Sequence, residues 1–144
     1  MEAIIAYANE PTINGRIYSK EVLEDLAKQI NEKEFNPGGI GERTKFGSVV
    51  NMDYVSHNIK KAWMEGNVLK ADIRLFGTYL GQELIKLLNE DKVVFRACGM
   101  GTVGDNGSVY DLVSINAIDK NDDAFGNAVK KETVIEISDT IKIE

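Results

Sequence analysis

Apolar and polar positions fall into short, sharply bounded blocks along the chain. Ala3 to Ala8 is a compact apolar run and reads as a strand. Val22, Leu23, Leu26, Ala27 and Ile30 recur at helical spacing behind Ser19, a residue suited to a helix N-cap. The spacing predicts a helix from about Lys20 to Glu32, with Glu24 and Lys28 as an i, i+4 pair on its solvent side. From Val68 to Phe76 the period changes to two. Leu69, Ala71, Ile73 and Leu75 face one way and Lys70, Asp72 and Arg74 the other, which marks a half-buried antiparallel strand. Tyr54 to Met64 precedes it across the turn Glu65-Gly66-Asn67, so the two segments form a hairpin. Thr78 caps a second helix, about Tyr79 to Asn89, with Leu80, Leu84, Ile85, Leu87 and Leu88 apolar. Lys92 to Val103 and Ser108 to Asp119 are strands joined by the turn Gly104-Asp105-Asn106-Gly107.

Between these blocks lie breaker-rich loops. Asn9 to Tyr18 carries Pro11 and the pair Asn14-Gly15; Phe35 to Thr44 carries Pro37-Gly38-Gly39 and Gly41. Lys45 to Met52 is a further candidate strand, and Lys120 to Lys131 is a loop or a short helix. Thr133 to Ser138 and Thr140 to Ile143 read as two late strands. The order β-α-β-β-α-β-β-β predicts an α+β fold with a mostly antiparallel, barrel-like sheet and two main helices. Residues 1–144 are expected to form a single domain, with 131–144 a C-terminal strand pair or an arm that adds to a partner's sheet edge.

Composition narrows the chemistry. A chain of 144 residues suits one domain, and its net charge of −6 without a basic run argues against binding a phosphate backbone. No segment has the roughly 18 apolar residues of a membrane span. Met1-Glu2-Ala3-Ile4-Ile5 lacks the basic flank and long apolar stretch of a signal peptide, so folding in a reducing cytoplasm is expected. One cysteine, Cys98, excludes an internal disulfide, and with one histidine, His57, it excludes a Cys/His structural zinc site.

Few motifs carry chemistry. Asp119-Lys120-Asn121-Asp122-Asp123 opens like a calcium loop, but Ala124 stands where the turn glycine belongs and Lys130 where the bidentate glutamate belongs. Gly99-Met100-Gly101 lacks the third glycine and the βαβ setting of a nucleotide fingerprint. No metal and no cofactor is therefore expected. Cys98, followed by glycines, reads either as a thiolate beside an oxyanion-binding turn or as a small buried hydrophobe. His57 reads as a base for Cys98 or for a nearby serine, or as an ordinary strand histidine.

Taken in order, the segments resemble the tailed-phage prohead core (maturation) protease family. Asn14-Gly15-Arg16-Ile17-Tyr18 and the helix with Val22-Leu23 resemble the family's Asn-x-Arg-x-Tyr-Pro stretch and its amphipathic helix, with Ser19 where the family has proline. Gly41-Glu42 resembles the start of Gly-Glu-Leu-x-His-Pro, and Lys61 to Asn67 the tryptophan-bearing hairpin. Phe95 to Gly101 resembles Val-Ser-Ser-Arg-Gly-Leu-Gly, and Leu112 to Ala124 the strand ending in Val-Asp-x-Val and then Pro-Ser. The resemblance runs from about Ile5 to Ala128 and implies the barrel shared with herpesvirus assemblin-type proteases.

The departures fall on the chemistry. The family's catalytic histidine corresponds to Lys45, and its two serines correspond to Arg96 and Ala97. Cys98 stands one place later, where the family has arginine, while Gly99 and Gly101 keep the oxyanion-turn glycines. His57 lies about a dozen residues past the base position. The resemblance implies a degenerate, non-catalytic member: an auxiliary, decoration or assembly component of a phage capsid or virion, assembled in the host cytoplasm. Its expected partners are capsid or other virion proteins, with homo-oligomerisation open and neither nucleic acid nor membrane. One alternative is an active maturation peptidase with Cys98 as displaced nucleophile and His57 or Lys45 as base. Another is a small regulatory module that pairs with a genuine protease.

Overall fold

A computed structural model describes residues 1–13, 15–41, 54–100 and 111–125, with backbone only at 98–100 and 111–113. The predicted strand at Lys45–Met52, the turn at Gly104–Gly107 and the late strands after Lys131 lie outside the described residues. Strand β1 spans Glu2–Tyr7, helix α1 Lys20–Asn31, β2 Pro37–Gly38, β3 His57–Glu65 and β4 Val68–Leu75. Helix α2 spans Tyr79–Asn89, β5 Val93–Met100 and β6 Asp111–Asp119, and a 3-10 turn comes next at Lys120–Asp122.

Both helices begin where their caps predict. The Val22 N–H donates to Ser19 Oγ at 3.2 Å and the Gly81 N–H to Thr78 Oγ1 at 3.0 Å, each satisfying a first-turn donor. The five apolar residues of α1 are all buried. On its solvent side the ion pair joins Lys28 to Glu32 at 3.8 Å, one turn beyond the Glu24–Lys28 pair that the spacing suggests. In β4 the alternation holds, with Leu69, Ala71, Ile73 and Leu75 buried. The β3–β4 hairpin closes through Gly66, whose φ of 60° suits glycine.

Backbone pairing gives a four-stranded sheet, β1-β4-β3-β2, and a two-stranded sheet, β5-β6, each antiparallel. Residues 39–41 join them. The Ala117 N–H donates to the Gly39 carbonyl at 3.0 Å and the Gly41 N–H to the Ala117 carbonyl at 2.7 Å, a parallel bridge from the end of β2 to β6. On the opposite side Arg96 of β5 donates to the Ile4 carbonyl of β1 at 2.9 Å. The strands thus run β1-β4-β3-β2-β6-β5 and back towards β1, the barrel-like α+β arrangement expected. Its core joins α1 to the inner faces of β1, β4, β5 and β6, through residues such as Ile5, Leu26, Leu69, Phe95 and Ile115. No described helix is long and apolar enough to cross a membrane.

Strand β2 falls in a stretch that reads as loop. Two residues cannot make a strand by propensity; Pro37 and Gly38 are extended because they pair with Asn58 and His57 of β3. Gly38 is required there by proximity. A Cβ at this position would collide with the Ile115 carbonyl oxygen and with His57 Nε2.

Candidate functional site

Strand β5 brings Arg96 and Ala97, which the resemblance aligns with the two serines, beside β1, α1 and the turn after β6. Arg96 is buried and its guanidinium meets Asp123 twice, Nε to Oδ1 at 2.9 Å and Nη2 to Oδ2 at 2.8 Å. Nη1 donates to the carbonyls of Phe95 at 2.8 Å and Ile4 at 2.9 Å. The rings of Tyr7 and Phe125 stand 5.9 and 5.6 Å from the guanidinium carbon and 5.3 Å from each other, edge to face. A planar, permanently charged group with several donors suits this slot, where lysine could not make the paired bonds.

Asp123 is held for that contact by the chain around it. Asp119 caps the 3-10 turn by accepting from the Asn121 N–H at 2.8 Å, and Asp123 Oδ1 accepts from the Phe125 N–H at 3.1 Å. The acidic stretch that opens like a calcium loop thus supplies a turn cap and an arginine partner. Among the described residues no three His, Cys, Asp or Glu side chains gather to hold a metal ion.

Ala97 is half-buried and lines a cavity between β5, β1 and α1. Cys98 pairs in register with Ser114 of β6, and a register shift separates it from Gly99, which stands opposite Leu112. The side chain of Cys98 is not among those described. Lys45 and Gly101 lie outside the described residues.

His57 opens β3 and is fully buried. Its Nε2 stands 2.7 Å from the Ile115 carbonyl, which can only accept, so Nε2 carries the proton. Nδ1 then accepts from the Ser56 hydroxyl at 2.8 Å. The ring lies edge-on to Phe95 at 5.1 Å. Burial pushes its pKa down to about 4, against a smaller upward pull from the Ile115 carbonyl. The ring is therefore neutral at pH 7, with both nitrogens engaged, and ties β3 to β6. Among the described residues the serine that meets it is its own neighbour Ser56, itself buried.

Sequence reading missed the partners that give these residues their roles. Asp123 falls in a stretch that reads as a loop or a short helix, and neither Ser56 nor Gly38 carries a local signal of its contact with His57. Ser114 was also missed. Its hydroxyl is buried and has no hydrogen-bond partner among the described residues.

Similarity to known proteins enters at the level of the fold. No family model matches the sequence, and no curated protein matches it. The fold is that of a phage capsid assembly protease. One similar solved structure is the bacteriophage T4 capsid assembly protease gp21, with a TM-score of 0.61 and 20% sequence identity over 82% of this chain and 80% of that chain.

Proposed function

We propose that this chain is a non-catalytic, prohead-protease-like protein of a tailed phage, acting as an auxiliary, decoration or assembly component of the capsid or virion. The observation that carries the reading is the fate of the two nucleophile positions. Arg96 is committed to Asp123 through paired bonds inside the protein, and Ala97 has no nucleophilic atom. Arginine stays protonated in proteins and does not act as a nucleophile. His57, the sole histidine, is neutral, buried and spoken for at both nitrogens. The likeness to a capsid assembly protease supports the phage and capsid context, and its partners are then capsid or other virion proteins. Homo-oligomerisation is compatible with such a role, and the location is the virion, built in the host cytoplasm.

The test is the protein content of purified particles of the phage that encodes the chain. Quantitative mass spectrometry is expected to find it at a fixed stoichiometry to the major capsid protein. Absence from mature particles, or recovery only with a protease in infected-cell extracts, overturns the virion role.

A further inference from the structure

The joint between the two sheets holds a hydroxyl proton with two acceptors in reach. Ser56, His57 and Gly38 meet where β2 and β3 approach β6, and the side chains of Ser56 and His57 are fully buried. Ser56 Oγ stands 2.8 Å from His57 Nδ1 and 3.4 Å from the Gly38 carbonyl oxygen. A serine hydroxyl has one proton, two lone pairs and a rotor that turns, so it serves one of these acceptors at a time. With the imidazole neutral, Nε2 donates to the Ile115 carbonyl at 2.7 Å and Nδ1 is a bare acceptor, so the shorter contact takes the hydroxyl proton. The Gly38 carbonyl meanwhile accepts the Ser56 N–H at 2.9 Å and keeps a second lone pair.

We propose that Ser56 is a hydroxyl switch that lets His57 take up a proton inside the folded protein while the joint between β3 and β6 stays closed. A proton from solvent binds the Nδ1 lone pair. Nδ1–H then donates to Ser56 Oγ, and the Ser56 hydroxyl turns its own proton to the Gly38 carbonyl. Nε2 keeps its proton and its bond to Ile115 in both states. No hydrogen bond is lost, one is gained at Gly38, and those donated by the cationic ring are charge-assisted and stronger. The ring has no room to swing towards β2, since even a Cβ on Gly38 would overlap its Nε2 and Cε1.

Among the described residues no other ionisable group faces the ring. β2 brings Pro37 and Gly38, β4 sets Leu75 opposite it, β5 sets Phe95 edge-on at 5.1 Å, and β6 brings Ile115. The charged residues next to these in the chain are Arg74, which stands opposite Asn58, and Arg96, which meets Asp123. The ring's low pKa accordingly comes from burial, with the Ile115 carbonyl opposing it. The switch works whether or not the chain cuts peptide bonds.

The direction of one pKa change tests this. A hydroxyl that only donated to Nδ1 would stabilise the neutral ring, and its removal would raise the pKa. A hydroxyl that turns stabilises the cation more, so Ser56→Ala in the full-length chain is expected to lower the His57 pKa by about one unit. Imidazole nitrogen-15 shifts followed against pH by nuclear magnetic resonance read it on the chain's sole histidine. A rise or no change overturns the proposal. The parent chain gives a second readout that does not depend on the variant folding. As its ring titrates, both imidazole N–H protons are expected to exchange slowly with water, and the Gly38 carbonyl carbon-13 signal to move downfield with the same midpoint. A stationary Gly38 signal, a rapidly exchanging Nδ1 proton, or unfolding before the ring titrates overturns the proposal.

Discussion

Arg96 and Asp123 form two parallel hydrogen bonds, at 2.9 and 2.8 Å, between β5 and the segment just past the 3-10 turn. They are 27 residues apart, and the pair is buried. It stands at the first of the two positions where the resembling proteases carry serine. The contact is a structural clamp, and on the proposed reading it occupies the place of a nucleophile. The same guanidinium also reaches the Ile4 carbonyl across the β1–β5 seam. A single substitution at this position therefore touches both the Asp123 pair and the β1–β5 seam.

Placing a serine at this position is expected to break the clamp. Arg96→Ser leaves Asp123 buried and unpaired, a loss of about 3–5 kcal/mol in denaturant titration. Replacing both partners, Arg96→Met with Asp123→Leu, removes the orphaned charge and should recover most of that loss. If the double variant is as unstable as the single one, the pair is not the clamp described.

His57 makes stability depend on pH. Its folded pKa of about 4 lies below the ordinary 6.5 of an unfolded chain. Between these values the unfolded chain binds a proton that the folded chain refuses. Stability therefore falls as pH drops through that window, by about 3 kcal/mol in all, and this residue adds no slope above pH 6.5. His57→Gln should start less stable at pH 7 and lack this slope. Chemical denaturation at several pH values checks it, and an unchanged slope in the variant would contradict the assignment.

Gly38→Ala tests the close approach beneath that histidine. The added methyl meets the Ile115 carbonyl oxygen and the imidazole together, so the His57–Ile115 hydrogen bond must yield. A loss of about 1–3 kcal/mol is expected by thermal or denaturant unfolding, as for other overpacked core sites. Nuclear magnetic resonance of the imidazole should show its Nε2 proton losing protection. A neutral substitution would refute the contact.

Asn31 closes the free side of β3. Its side chain donates to the Ala62 carbonyl and accepts from the Ala62 N–H, both at 2.9 Å. Asn31→Asp keeps the acceptor and loses the donor, setting a carboxylate against a carbonyl. Asn31→Leu loses both bonds and should cost about 1–3 kcal/mol. Amide hydrogen exchange at Ala62 separates the two. Protection is expected to fall in the leucine variant and to persist more fully in the aspartate one.

The parts of the fold written locally were legible. The caps Ser19 and Thr78, the helical spacing behind them and the alternation of β4 are all set by neighbouring residues, and the structure has them in place. The rest depends on distant partners. Pro37 and Gly38 form a strand because β3 lies beside them, and Arg96 has a role because Asp123 arrives from the far side of β6. His57 shows the same limit. Its sequence context allows a base or a core histidine, and the choice is made by Ile115, 58 residues away.

The central claim, that the chain has no catalytic function, is tested most directly at the residues left to the active alternative. Protein termini are mapped by mass spectrometry in particles assembled with Lys45→Ala and Cys98→Ala together, and compared with the parent. Lack of catalysis predicts the same processed termini in both. Loss of processed termini in the variant, with the chain still folded and present, would contradict the claim.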